Sequence, residues 1–167
     1  MGEPVVRRCT SSIDEPVGRG VHSAPPAHLE EVGGMLTEVV LALEDRIGAL
    51  ADLGELLGRN GVDIRALAVV RVVEGQALAH LVVEPADVAV RVLRQHGLDP
   101  QRVREVLSVT LEDEPGALGR YCRRLADASI DLEAVYLAGE RNGAKELVLA
   151  VGDLQAARRV GPRARRP

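Results

Sequence analysis

The 167-residue sequence has no phenylalanine, no tryptophan and only two tyrosines. A core must therefore be assembled from Val, Leu, Ile and Ala, and a sheet built from this chain offers no aromatic platform on which nucleic-acid bases could stack. Charge is short on the basic side: the net value is −4 and the pI near 5.6. That balance gives no general attraction to nucleic acid or to anionic lipid, although the final stretch RRVGPRARRP is locally basic. Cys9 and Cys122 lie far apart, without a CxxC or a Cys/His cluster. Neither a disulfide framework nor a metal site is signalled, and a reducing cytoplasm is the default compartment. No apolar run approaches the roughly 20 residues of a membrane span, and the N-terminus lacks the apolar stretch of a secretory signal. A Walker loop, a dinucleotide fingerprint and a zincin motif are all missing, so no cofactor is expected. His80 and His96 stand without a nucleophile or second ligand at useful spacing. We expect no catalytic residue and no enzyme activity.

What the chain does contain is a repeated phrase. Leu43 to Leu50 reads LEDRIGAL and Leu111 to Leu118 reads LEDEPGAL, an offset of 68 residues. The same shift places Leu57 on Leu125, Asp63 on Asp131, Ala66 on Ala134, Gly75 on Gly143 and Leu81 on Leu149 without a gap. Register held over that length identifies two copies of one structural unit.

Each copy carries the same order of elements. TEVVLAL and EVLSVTL alternate with period two and read as half-buried strands. A helix follows, with Leu50, Leu53 and Leu57 in one copy and Leu118, Cys122 and Leu125 in the other expected to face the core. Second strands open at Asp63 and Asp131, turn at Glu74-Gly75 or Asn142-Gly143, and return as QALAHLVV or KELVLAV. A second helix then places Val88, Val92 and His96 on one face, with the shorter DLQAARRV as its counterpart. The fold class is therefore α+β, with tandem ferredoxin-like βαββαβ units whose antiparallel sheets carry both helices on one face. Residues 1–34, rich in Pro, Gly, Ser and charge, read as a disordered leader. The first unit is 35–104. The second is 105–160, expected to lack its last strand, and 161–167 is a basic tail.

With the helices covering Leu41, Ile64 and Leu81, the opposite faces hold Val40, Leu67, Val69, Leu78 and Val82 in one copy and Val106, Val135, Leu137 and Val148 in the other. These faces are too apolar for water, so each should meet the other copy or a second chain. A one-residue slip in register would exchange the two faces.

The βαββαβ order, an acidic residue two before a Pro-Gly at the start of the first helix, and an Asp opening the second strand resemble the ACT domain family. The resemblance spans both copies. LEDEPGALGRYCRRLADASIDLEAVYL is similar to that family's core motif, whereas LEDRIGALADLGELLGRNGVDIRAL departs from it, with Ile47 in place of Pro. The resemblance implies a small regulatory module that binds an amino acid at the interface between two ACT units. The implied ligand set is Asp113, Glu114, Pro115, Gly116, Ala117 and Leu118 facing Asp63 and Ile64, with a mirror site from Asp45, Gly48 and Ala49 facing Asp131 and Leu132.

Elementary chemistry supports the same residues. A helix start presents unpaired N–H groups and partial positive charge, and glycine there lets a carboxylate approach. A nearby carboxylate side chain can take the ammonium end of the same zwitterion. The alternative is that Asp45 and Asp113 cap their helices and that Asp63 and Asp131 shape the turn into a strand. The expected function is a cytoplasmic, non-catalytic amino-acid sensor. The alternative is a ligand-free regulatory subunit that docks onto an amino-acid biosynthetic enzyme. Expected partners are an amino acid and either a second copy, in a homodimer, or a target metabolic enzyme; neither nucleic acid nor a membrane is expected.

Overall fold

The computed structural model describes residues 32–141 and 143–161. Most of the leader (1–31), Cys9, Asn142 of the second hairpin turn and most of the basic tail (162–167) lie outside the described residues. The order is β1 (Val32–Glu44), α1 (Ala49–Arg59), β2 (Asp63–Val73), β3 (Gln76–Glu84), α2 (Ala86–Gln95), β4 (Pro100–Glu112), α3 (Ala117–Asp127), β5 (Leu132–Arg141), β6 (Ala144–Val151) and α4 (Leu154–Val160). All strand pairs are antiparallel, in one six-stranded sheet ordered β2-β3-β1-β4-β6-β5.

β1 and β4 explain how two small units become one body. Both run 13 residues, and the 68-residue offset maps one onto the other from end to end. They pair with Thr37 opposite Glu105, its own repeat mate, so a pseudo-twofold axis passes between these two residues. On one side of the axis Pro100 to Arg104 of β4 is the fourth strand of the first unit. On the other, Val32 to Leu36 of β1 lies against Leu107 to Val109 and Val106, in the place that a fourth strand of the second unit would take. β1 thus begins inside the segment 1–34 read as leader.

The helices cover one face of the sheet. Leu53, Leu57, Ala89 and Leu93 from α1 and α2 meet Val39, Leu41, Leu81 and Val83. Tyr121, Leu125 and Ala157 from α3 and α4 meet Leu107, Val109, Leu111 and Leu149. Full burial of each such aliphatic side chain contributes about 1.5–3 kcal/mol. Leu53, Leu57 and Leu125 face the core as expected; Ala49 and Tyr121 are buried as well, whereas Leu50 and Leu118 are exposed and Cys122 is half-buried. The first helical residue follows a glycine in the left-handed region in both copies.

The other face curls inward until the outer strands β2 and β5 meet, and it encloses a third apolar cluster of Ala66, Val82, Val106, Val148 and Ala150, flanked by Leu36, Ala134 and Tyr136. The two faces without helices therefore cover one another. Leu67, Val69, Val135 and Leu137 do not take part as expected. A β-bulge between Ile64 and Ala66, and another between Leu132 and Ala134, shifts the alternation, so Leu67 pairs with Leu81 and Val135 with Leu149 on the helix-covered face. Ala66, Ala68, Ala134 and Tyr136 take the inner places instead.

Candidate functional site

Both loops that follow the first strand of a unit have the same construction. Gly48 (φ +89°) and Gly116 (φ +87°) occupy the N-cap positions of α1 and α3 in the left-handed region, and neither helix start has a side-chain cap. Asp45 and Asp113 are therefore not caps. Asp45 is held by Arg71 of β2, with Nε 2.6 Å from the carboxylate, and Asp113 by Nζ of Lys145 of β6 at 3.1 Å. Lys145 also donates to Glu140 at 2.6 Å, and the bonds to Glu140 and Asp113 raise its pKa. Ala117 N–H donates to Glu114 O, and Arg120 N–H to Gly116 O. Leu118 and Gly119, between them, make no backbone bond to the preceding loop among the described residues, the usual state of a helix start. The site set Asp113, Glu114, Pro115, Gly116, Ala117 and Leu118 thus forms one positively polarised turn, exposed except at the half-buried Glu114 and Ala117, and Asp45, Gly48 and the buried Ala49 form its counterpart.

The other half of each expected site lies elsewhere along the sheet. Asp63 pairs with Glu84, whose carboxylate is engaged by Arg65 at 2.7 Å, and Ile64 pairs with Val83 beside the bulge. Because Val82 pairs with Glu38, Glu84 is level with Leu36 and, across β1, with Val106. Asp113 lies seven positions further along β4, about 23 Å at the strand repeat. Asp131, whose carbonyl accepts from Gly152 N–H at 3.3 Å, and Leu132, which pairs with Val151, are the mirror case. The register within the sheet does not bring these halves side by side.

A polar cluster inside the curl was not anticipated from the sequence. Glu38 is fully buried, and its carboxylate accepts from Tyr136 Oη at 2.9 Å and Arg104 Nε at 2.6 Å, with His80 Nδ1 at 3.0 Å. Arg104 continues to Glu133, which also meets Arg102. Burial opposes the charge on Arg104, but its bonds to Glu38 and Glu133 outweigh that and raise its pKa; the same Arg104 bond holds Glu133 below the usual carboxylate range. Burial, and then the Glu38 charge, push the Tyr136 hydroxyl far up. The repeat mates of Glu38, His80, Arg104 and Tyr136 are Val106, Val148, Leu36 and Ala68, so the network belongs to one side of the pseudo-twofold axis only. Its sole sequence signal is a charged residue at an inward position of an alternating strand. Among the described residues no group of His, Cys, Asp and Glu is arranged to hold a metal, and no helix is long and apolar enough to cross a membrane.

No family model matches the chain, and neither does any curated protein. Solved structures do. The chain is similar to protein BT0572 from Bacteroides thetaiotaomicron, with a TM-score of 0.68 and 18% identity over 75% of this chain and 85% of that one. It is also similar to the regulatory subunit of aspartate kinase from Thermus thermophilus (TM-score 0.58, 14% identity, 78% of this chain and 96% of that one) and to that from Thermus flavus (0.55, 17%, 77% and 95%). At these identities the likeness is one of fold: a tandem pair of ferredoxin-like, ACT-like units in a single chain.

Proposed function

We propose that the protein is a non-catalytic regulatory module of the cytoplasm that changes state when it binds a free amino acid. The observation that carries this reading is the duplicated helix start: a left-handed glycine, no side-chain cap, and an acidic side chain tethered beside it by a hairpin cation. The N–H groups of the first turn of α3 suit a carboxylate, and the Asp113 carboxylate suits an ammonium. Asp63, Ile64, Asp131 and Leu132 stand too far along the strands to close the same turn, so the complementary wall is drawn from the Lys145 hairpin or from a second copy of the chain. The fold shared with aspartate kinase regulatory subunits supports a regulatory role.

A thermal-shift screen of the full chain against the common amino acids tests this. A selective ligand at a hundredfold excess over Kd should stabilise the native state by about 2.7 kcal/mol. Asp113→Ala should weaken its binding by roughly 1–3 kcal/mol. A flat screen would defeat the sensor reading. One observation favours the docking alternative: Val70, Val72 and Val73 of the outer strand β2 are each more than half exposed, a surface suited to a second copy or a target enzyme.

A further inference from the structure

We propose that a cavity of about 460 Å³ beside α3 is a second ligand site, built for a small molecule with clustered oxyanion groups, either phosphate or polycarboxylate. Its lining residues include Leu111 and Tyr121 and three arginines, Arg120, Arg123 and Arg124, and no carboxylate residue. The volume falls within the range of small-molecule sites.

The buried donors make the case specific. Among the described residues, two buried side-chain polar atoms lack a hydrogen-bond partner, Tyr121 Oη and Arg124 Nε. Both can donate a hydrogen bond, and both belong to residues that line this cavity. Neither atom is reached by solvent, and with the Arg124 guanidinium over the Tyr121 ring neither faces the open cavity, so an acceptor reaches them only as Arg124 moves aside. Tyr121 is 1% exposed, and the Arg124 guanidinium lies over its ring at 5.3 Å from the centroid. An unmet donor at such depth calls for an explanation, and an oxygen-rich anion would answer both at once. Seating it turns the Arg124 guanidinium off the ring and toward the cavity.

The repeat shows that the fold does not require this arrangement. The mates of Arg120, Tyr121, Arg123 and Arg124 are Asp52, Leu53, Glu55 and Leu56. In the first unit the two carboxylates are closed off by Arg46 and Arg59, and Leu53 fills the core with no polar atom to satisfy. In the second unit Arg120 meets Glu114 at the rim, while Arg123 and Arg124 form no ion pair among the described residues. One copy has thus exchanged an acidic and apolar helix flank for a basic one with a hydroxyl beneath it. This site differs in place and ligand chemistry from the amino-acid reading, and a flat amino-acid screen leaves it standing.

With two tyrosines and no tryptophan, the Tyr136→Phe chain has Tyr121 as its sole tyrosine fluorophore. It is titrated with pyrophosphate and, separately, with citrate, at ionic strength held constant with chloride. We expect saturable change in Tyr121 emission with at least one of the two probes; which one responds separates a phosphate from a polycarboxylate ligand. Arg123→Gln and Arg124→Gln should each weaken binding at least tenfold, whereas Arg159→Gln on α4 should not. In the chain retaining Tyr136, Tyr121→Phe should weaken binding severalfold by calorimetry while leaving the fold intact. Failure of both probes to saturate, or equal binding by the Arg123→Gln and Arg124→Gln chains, would overturn the site and leave the arginines as solvated surface over a core tyrosine.

Discussion

The Tyr136 hydroxyl donates to the Glu38 carboxylate at 2.9 Å, joining β1 to the far edge strand of the second unit across 98 residues of sequence. The two units meet largely through apolar side chains inside the curl, and this bond belongs to a charged cluster set among them. A buried ion pair offsets its desolvation only when both members are present and hydrogen-bonded.

The first prediction follows from that balance. Glu38→Val leaves the Tyr136 hydroxyl buried without its acceptor and Arg104 with Glu133 alone, and should cost about 3–5 kcal/mol in urea denaturation. The double variant Glu38→Val with Arg104→Leu installs the residue types that the repeat mates Val106 and Leu36 already carry on the other side of the axis. It should recover part of the loss, because a buried pair can often be exchanged for well-packed apolar groups at little net cost, while Tyr136 and His80 still lack the Glu38 carboxylate. Additive losses in the two single variants and the double would show that Glu38 and Arg104 do not act as a pair.

A second prediction concerns alkaline pH. Burial pushes the Tyr121 hydroxyl up to about 12, and burial together with the Glu38 charge raises Tyr136 as well, against about 10 for tyrosine in an unfolded chain. The folded state holds these protons more tightly than the unfolded state. For Tyr121 the stabilising contribution is thus complete below pH 10 and lost as pH rises from there through its folded value near 12, of order 2–3 kcal/mol; Tyr136 adds a loss in the same direction. Phenolate absorbance should appear together with the loss of the far-ultraviolet dichroism signal. Phenolate forming near pH 10 in a chain that keeps its dichroism would contradict the burial of both hydroxyls.

The glycine turns give a third. Ala at Gly48 or Gly116 would sit in a left-handed conformation that L side chains rarely adopt, at a cost of about 1–2 kcal/mol. At Gly116 the added Cβ would lie 3.1 Å from Arg120 Nη1, the movable end of an exposed side chain, so the two losses should be similar. Gly54→Ala in the middle of α1 meets nothing within 4 Å and should stabilise by about 0.5–1 kcal/mol. Thermal melts of the three variants check the order.

Much of this architecture is legible in the sequence because a duplication writes the fold twice. The alternation in TEVVLAL and EVLSVTL, the glycine at both helix starts and the 68-residue shift are local signals, and the strands and helices form where those signals stand. Three features resist such a reading. The bulges after Ile64 and Leu132 add one residue to a strand without altering its composition, and so move Leu67 and Val135 to the other face unannounced. The burial of Ala49 and Tyr121, with Leu50 and Leu118 left exposed, is a matter of how each helix is rotated on the sheet, which hydrophobicity alone does not display. The Glu38 cluster draws on four strands: register places Arg104 and His80 beside Glu38, but Tyr136 of β5 joins them only through the curl. The candidate ligand turn falls between these cases: its residues form the expected local structure, but the strand register carries Asp63 and Asp131 away from it.

The last prediction tests how the units are joined. If Val32 to Leu36 completes the second unit, a chain that begins at Val32 retains every described strand pair, and one that begins at Thr37 loses the pairs to Leu107, Val106 and Val109. The shorter chain would expose the backbone edge of Val106 to Val109 in β4 and uncover the inner cluster that Leu36 flanks. An unpaired apolar edge of this kind invites association between chains. The chain beginning at Val32 should melt within a few degrees of the full-length protein. The chain beginning at Thr37 should melt well below it and elute as aggregates, with amide exchange accelerated in β4 and β6 more than in β2 and β3. Equal melting and equal exchange in the two chains would mean that the second unit closes without the start of β1.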